Sequence, residues 1–135
     1  MDDVKTYMSD PSVHIDSEAT VMATVKLMRD NMVGSILITK GTAYVGIFTE
    51  TDLLRKVAAE SKPMDQIKIS TVMSAPLLTV DCDASMVQAF ALMQRKNIRH
   101  LAVTRKDDIV GILSIKDIAN YYVNKFTKKA SKPQA

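Results

Sequence analysis

The sequence contains no tryptophan, and aromatic residues make up only 5% of its 135 positions. Its core must therefore be aliphatic, with the nine methionines as adaptable filler. A single cysteine, Cys82, excludes an internal disulfide and suits a reducing compartment. Two histidines and that cysteine, with no C-x-x-C or H-E-x-x-H spacing, argue against a zinc site. No serine stands in a nucleophile elbow, so a hydrolytic triad has no starting point. The formal net charge of +3 is too small to argue for nucleic acid. No apolar run is long enough to span a bilayer, and the start Met1-Asp2-Asp3 lacks the basic region of a signal peptide. These absences lead to the expectation of a cytoplasmic protein with no catalytic centre, metal, membrane or nucleic-acid partner. The excess positive charge collects at one end, where Lys125, Lys128, Lys129 and Lys132 stand without an acid. That stretch reads as a solvated, mobile tail over 125–135.

What the sequence does have is an internal repeat. Shifted by 65 positions it matches itself without a gap: 13 of the 53 pairs between 4–56 and 69–121 are identical. Met8-Ser9 meets Met73-Ser74, Pro11 meets Pro76, and Asp16 meets Asp81. Val45-Gly46-Ile47 meets Val110-Gly111-Ile112, and Asp52 meets Asp117. The organisation expected is a first motif over 1–60, a linker over 61–68 around Ser61-Lys62-Pro63, and a second motif over 69–124.

Each repeat predicts the same order of elements. A short extended stretch at 13–15 or 78–80 precedes an amphipathic helix. Val21, Val25, Met28 and Met32 fall at helical spacing in the first repeat, and Met86, Phe90 and Met93 in the second. Two β-branched, apolar segments follow, Ile36–Thr39 with Tyr44–Phe48 and Leu101–Thr104 with Ile109–Leu113, separated by short polar turns that suit hairpins. A second helix starts near Thr49 or Ser114. The fold class is thus α/β in the broad sense (α+β), as two tandem βαββα units. Each would be marginal alone, so the expected packing is sheet to sheet with pseudo-twofold symmetry.

The segments richest in chemistry are Gly46-Ile47-Phe48-Thr49-Glu50-Thr51-Asp52 and Gly111-Ile112-Leu113-Ser114-Ile115-Lys116-Asp117. Each ends a strand and opens a helix. Thr49-x-x-Asp52 and Ser114-x-x-Asp117 have the spacing of a capping box, which needs no ligand. A glycine three residues before the cap is not part of that device, and it points to close backbone approach, as by a ligand. A helix N-terminus attracts phosphate, a hydroxyl there adds a hydrogen bond, and an acid one turn in can accept from vicinal hydroxyls such as those of a ribose. Duplicated in register, the arrangement suits a nucleoside phosphate.

With Thr71-Val72-Met73-Ser74-Ala75-Pro76 and Ile98-Arg99-His100-Leu101-Ala102-Val103 added to those two endings, the chain resembles a pair of CBS motifs, a Bateman module, over about residues 4–121. The resemblance implies that Thr49 and Ser114 contact phosphate and that Asp52 and Asp117 hold ribose. It implies an adenine slot beside Val13, Ile15, Ile47, Leu78, Val80 and Ile112. It also implies that Arg99 and His100 reach across the pseudo-twofold axis to the phosphate held by Thr49 and Asp52. Gly34-Ser35 occupies the corresponding place in the first repeat, so the two clefts should differ, with the tighter anion site using Asp52. The ligand class implied is an adenine nucleotide or related adenosyl compound (AMP, ADP, ATP, S-adenosylmethionine or NAD), acting as a regulatory ligand and not as a catalytic cofactor. A homodimer and an unidentified downstream protein complete that expectation. The competing reading is a scaffold that uses the same fold only to dimerise.

Overall fold

The structure, a computed structural model, describes residues 2–11 and 13–131, with side chains described up to residue 127. The chain divides into two compact units, and they are not the two sequence repeats. One comprises 11–78; the other joins 1–10 to 79–135.

In the unit 11–78, strand β1 (His14–Asp16) runs parallel to β2 (Ser35–Lys40), and β2 pairs antiparallel with β3 (Ala43–Thr49). A short helix α1 (Val4–Tyr7) precedes β1 in the chain, and the crossover from β1 to β2 is helix α2 (Val21–Asn31). It begins at Thr20, whose Oγ1 accepts the Ala23 N–H at 3.0 Å. It ends at Met32, which adopts the left-handed conformation and is 92% exposed. Met32 therefore belongs to the cap and not to the apolar stripe that the spacing suggested, whereas Val21 and Met28 are buried as expected. After β3 comes a single turn, α3 (Glu50–Asp52), continued by a π-helical segment Leu53–Ala58. The core of this unit is Val21, Met28, Ile36, Ile38, Phe48, Val57, Ile69 and Val72.

The other unit repeats the plan. Strand β4 (Thr79–Asp81) is parallel to β5 (His100–Arg105), which is antiparallel to β6 (Asp108–Ser114). Helix α4 (Met86–Lys96) starts with a Ser85–Gln88 capping box. Helix α5 follows β6 and runs over Ile115–Ser131. The first seven residues of the expected tail, 125–131, are thus the end of a helix; 132–135 lie outside the described residues. Cys82 sits in this unit's core with Met86, Met93, Leu101, Leu113 and Tyr121, as a buried free thiol. Both hairpins carry a bulge at the same place, after Ile38 and after Val103, and both α2 and α4 end in a left-handed residue. The βαββα order read from the sequence is present in both halves, in two three-stranded sheets.

The units differ from the repeats because each repeat's leading segment is built into the other half. The carbonyls of Ile67 and Met64 accept the N–H groups of Val21 and Met22 at the start of α2. Sixty-five residues earlier, the Asp2 carbonyl accepts from Met86 at the start of α4. Ser74 exchanges both backbone hydrogen bonds with Ile47, at 3.0 and 2.7 Å, and Ser9 does the same with Ile112, at 2.8 and 2.9 Å. The expected linker is consequently a structural element. Thr20 bridges to Lys68, and Ile69 donates to the Ala19 carbonyl at 2.7 Å.

The exchange accounts for two glycines. A Cβ on Gly46 would lie 2.6 Å from Met73 Sδ and 2.9 Å from the Ser74 carbonyl oxygen. One on Gly111 would lie 2.5 Å from Met8 Sδ and 2.9 Å from the Ser9 carbonyl oxygen. The close backbone approach inferred from the sequence is real, but what approaches is the chain's own crossing segment. Gly46→Ala and Gly111→Ala should each lower stability by about 1–3 kcal/mol, the usual cost of overpacking, in protein without any ligand. Denaturant unfolding curves check this; a midpoint unchanged in both variants would mean that the crossing segments can yield.

Candidate functional site

The candidate site residues gather at the two strand-to-helix turns. In both turns the expected capping box is formed. Thr49 N–H donates to Asp52 Oδ2 at 3.1 Å, and Asp52 N–H donates to Thr49 Oγ1 at 3.2 Å. Ser114 N–H donates to Asp117 Oδ2 at 2.8 Å, and Asp117 N–H donates to Ser114 Oγ at 3.3 Å. Another donor at each helix start is also used: Glu50 N–H goes to the Gly34 carbonyl and Ile115 N–H to the Arg99 carbonyl, at 3.1 and 2.9 Å. The turns are therefore fixed by their own hydrogen bonds, and a ligand would meet groups already oriented.

Beyond this shared frame the two acids differ. Asp52 is 5% exposed, and its second oxygen is fully engaged. Ser74 Oγ donates to Asp52 Oδ1 at 2.8 Å, and Lys56 Nζ lies 3.1 Å from the same atom. Lys56 Nζ also reaches Ser74 Oγ at 3.2 Å and the Met73 carbonyl at 3.4 Å, so it ties the acid to the crossing segment. Asp117 is half-buried, and its Oδ2 accepts from the Ser114 N–H and from Ser114 Oγ at 3.1 Å. Among the described residues none bonds its Oδ1. Burial pushes the Asp117 carboxyl above the usual carboxylate range, against the lowering effect of its bonds to Ser114.

The sequence comparison alone could have flagged this difference. Lys56 stands one helical turn after Asp52, a spacing that pairs opposite charges, and its repeat partner is Tyr121. Tyr121 is 2% exposed and packs edge-to-face on Tyr7, with ring centroids 5.3 Å apart. The position that brings a cation to Asp52 thus supplies a core aromatic in the second repeat.

The remaining expected site residues fall as follows. Val13, Ile15 and Ile47 are half-buried in the unit 11–78, and Leu78 closes that unit with 40% exposure. Val80 and Ile112 are half-buried in the other unit. The backbone groups of Ile47 and Ile112 are spent on Ser74 and Ser9, so only their side chains can line a slot. Arg99 is exposed and His100 half-buried at the start of β5, in the unit that also holds Ser114 and Asp117. His14 is exposed, with Tyr44 edge-on at 6.3 Å. Among the described residues Asp81, Cys82 and Asp83 bring metal-ligand atoms within 4.8 Å of one another. Two of those groups already have partners: Asp81 Oδ1 accepts the Asp83 N–H at 2.8 Å, and Asp83 pairs with Lys5 at 2.6 Å. No helix among the described residues is long and apolar enough to cross a membrane.

The family model for the CBS domain matches the chain twice, over residues 4–59 and 69–124. Among curated relatives, the Arabidopsis thaliana CBS domain-containing protein CBSX3, mitochondrial, is 28% identical over 88% of the chain, which spans 60% of that protein's length. The Bacillus subtilis protein YhcV, also CBS domain-containing, is 27% identical over 88% of the chain and 84% of its own length. Among solved structures, the hexameric CBS-CP12 protein from bloom-forming cyanobacteria superposes with a TM-score of 0.82 at 26% identity, covering 98% of this chain and 76% of that one.

Proposed function

Because the chain belongs to the CBS-domain family, with two motifs in tandem, we propose that it is a regulatory module that binds an adenine nucleotide or related adenosyl ligand and performs no chemistry on it. The observation that carries the reading is the carboxylate of Asp117. Its Oδ2 is fixed by Ser114 while its Oδ1 has no protein donor among the described residues. A carboxylate held this way is an acceptor aimed by the fold and left for a donor from outside, and a vicinal diol is such a donor. The start of α5 beside it favours a negative group, as a phosphate would be. Ligand binding would act on a downstream protein by changing shape or association. The buried free thiol of Cys82 is consistent with a cytoplasmic setting.

One observation favours the scaffold reading instead. The capping boxes are complete, and Gly46 and Gly111 are explained by Met73 and Met8, so these features require no ligand. The two readings separate in a thermal melt with AMP, ADP, ATP, S-adenosylmethionine and NAD at millimolar levels. A ligand at about 100 times its dissociation constant adds roughly 2.7 kcal/mol to the native state. We expect at least one of the five to raise the melting temperature accordingly; if none does, the scaffold reading replaces the sensor.

The module is proposed to work as a homodimer. Apolar side chains that a lone chain leaves in water support this: Met32 at 92% exposure, Leu54 at 64%, Phe126 at 63% and Val123 at 61%. Met32 borders a cavity of about 430 Å³ lined also by Val25, Met28 and Leu53. Met28 and Met93, from the same helical stripes, are core residues and add nothing to that surface. Light scattering at micromolar concentration should give twice the mass of one chain, and a single-chain mass would remove the dimer from the account.

A further inference from the structure

We propose that Lys56 is a built-in counter-ion that closes the first-repeat position to ligand, so that the module takes one adenosyl ligand per chain, at Asp117. The inference rests on the ligand-binding reading above and adds which of its two equivalent positions is used.

What each position can accept is set by the occupancy of the four oxygens of Asp52 and Asp117. A ribose diol can offer two hydroxyl donors, and it needs a carboxylate with accepting capacity left over. Both oxygens of Asp52 are already held by protein donors, and the carboxylate is buried. Its Oδ2 accepts the Thr49 N–H, and its Oδ1 accepts the Ser74 hydroxyl and faces the Lys56 ammonium. At 5% exposure it also lacks a solvent face through which a diol could approach. Displacing Lys56 would leave a buried carboxylate facing neutral hydroxyls in place of a cation, the costly direction for a buried charge. Lys56 would have to give up the Met73 carbonyl and Ser74 Oγ as well.

The second repeat lacks each part of this closure. Tyr121 replaces Lys56 and turns into the core. Ser9, which corresponds to Ser74, is exposed, and among the described residues the Asp117 carboxylate bonds only to Ser114. The helix after Asp117 is regular, whereas the one after Asp52 widens to a π segment at the residues that deliver Lys56. Widened turns of this kind recur at specialised positions in helices. On this assignment Asp117 carries the ligand, the opposite of the expectation drawn from Arg99 and His100 that Asp52 does.

Titration calorimetry with AMP, on the whole chain, tests the proposal with Lys56→Met, Asp117→Asn and Asp52→Asn. Lys56→Met keeps an apolar stem and removes the charge; Asp117→Asn keeps an oxygen for the Ser114 N–H. Wild type should bind one AMP per chain. Asp117→Asn should weaken that event at least tenfold, and Asp52→Asn should change it less than twofold. Lys56→Met should leave the first event intact and add a second. Two events in wild type, or one that Asp52→Asn removes and Asp117→Asn spares, would overturn the assignment. A ligand-free arm separates this failure from failure of the sensor reading. In denaturant unfolding without ligand, Lys56→Met should destabilise the wild-type chain and be close to neutral in the Asp52→Asn background, where the partner charge is already gone. If it does while no adenosyl compound binds any variant, Lys56 is the counter-ion and the sensor reading is what fails, taking the single-ligand claim with it. If it does not, Lys56 is no counter-ion and the closure is wrong whatever AMP does.

Discussion

The exchange of backbone hydrogen bonds between Ser74 and Ile47, and its copy between Ser9 and Ile112, is the constraint on which the rest of the structure depends. It ties the segment leading each repeat into the elements of the other. It favours a residue without a Cβ at 46 and 111, because a Cβ there would lie 2.9 Å from the Ser74 or Ser9 carbonyl oxygen. It also pins the last residues of β3 and β6, from which both helix starts and both capping carboxylates follow. In the first repeat it does more, since the crossing segment brings Ser74 onto Asp52 and gives Lys56 a carbonyl to bind.

One turn can therefore have two outcomes from the same sequence frame. The capping box satisfies orphan N–H groups and one carboxylate oxygen, which is a structural task common to both repeats. The fate of the other oxygen is set by residues outside the box. A lysine one turn on closes it in the first repeat, and a tyrosine that turns into the core leaves it open in the second. The two copies share the scaffold and differ, at 56 and 121, in what meets the second oxygen.

Much of this was legible in the sequence. The ungapped shift of 65 gave the order of elements, and the hydroxyl-x-x-acid spacing gave both capping boxes. Met32 was misplaced because a helical apolar period carries one residue past the cap, where the left-handed conformation ends the helix. The crossing segments were not visible because backbone hydrogen bonds carry no side-chain signature, and the glycines that mark them were assigned to ligand approach. The helix through 125–131 was hidden by a run of lysines, which a solvated helix end tolerates as well as a tail does. The closure of Asp52 was hidden differently. It needs Lys56 from one side and Ser74 from a segment 22 residues away, a pairing that only the fold brings about.

The central claim is that Asp117 reads the vicinal hydroxyls of a ribose, and a chemical deletion on the ligand tests it most directly. AMP and its 2′-deoxy analogue can be compared on wild type and on Asp117→Asn as a four-way cycle. A hydrogen bond from hydroxyl to carboxylate is worth about 1.5–3 kcal/mol, so loss of the hydroxyl should weaken wild-type binding roughly 10- to 100-fold. In Asp117→Asn the preference for AMP should shrink, because the charged oxygen that accepted the hydroxyl is replaced by a neutral amide group. Equal affinity of wild type for both ligands, or an undiminished preference for AMP in the variant, would contradict the account.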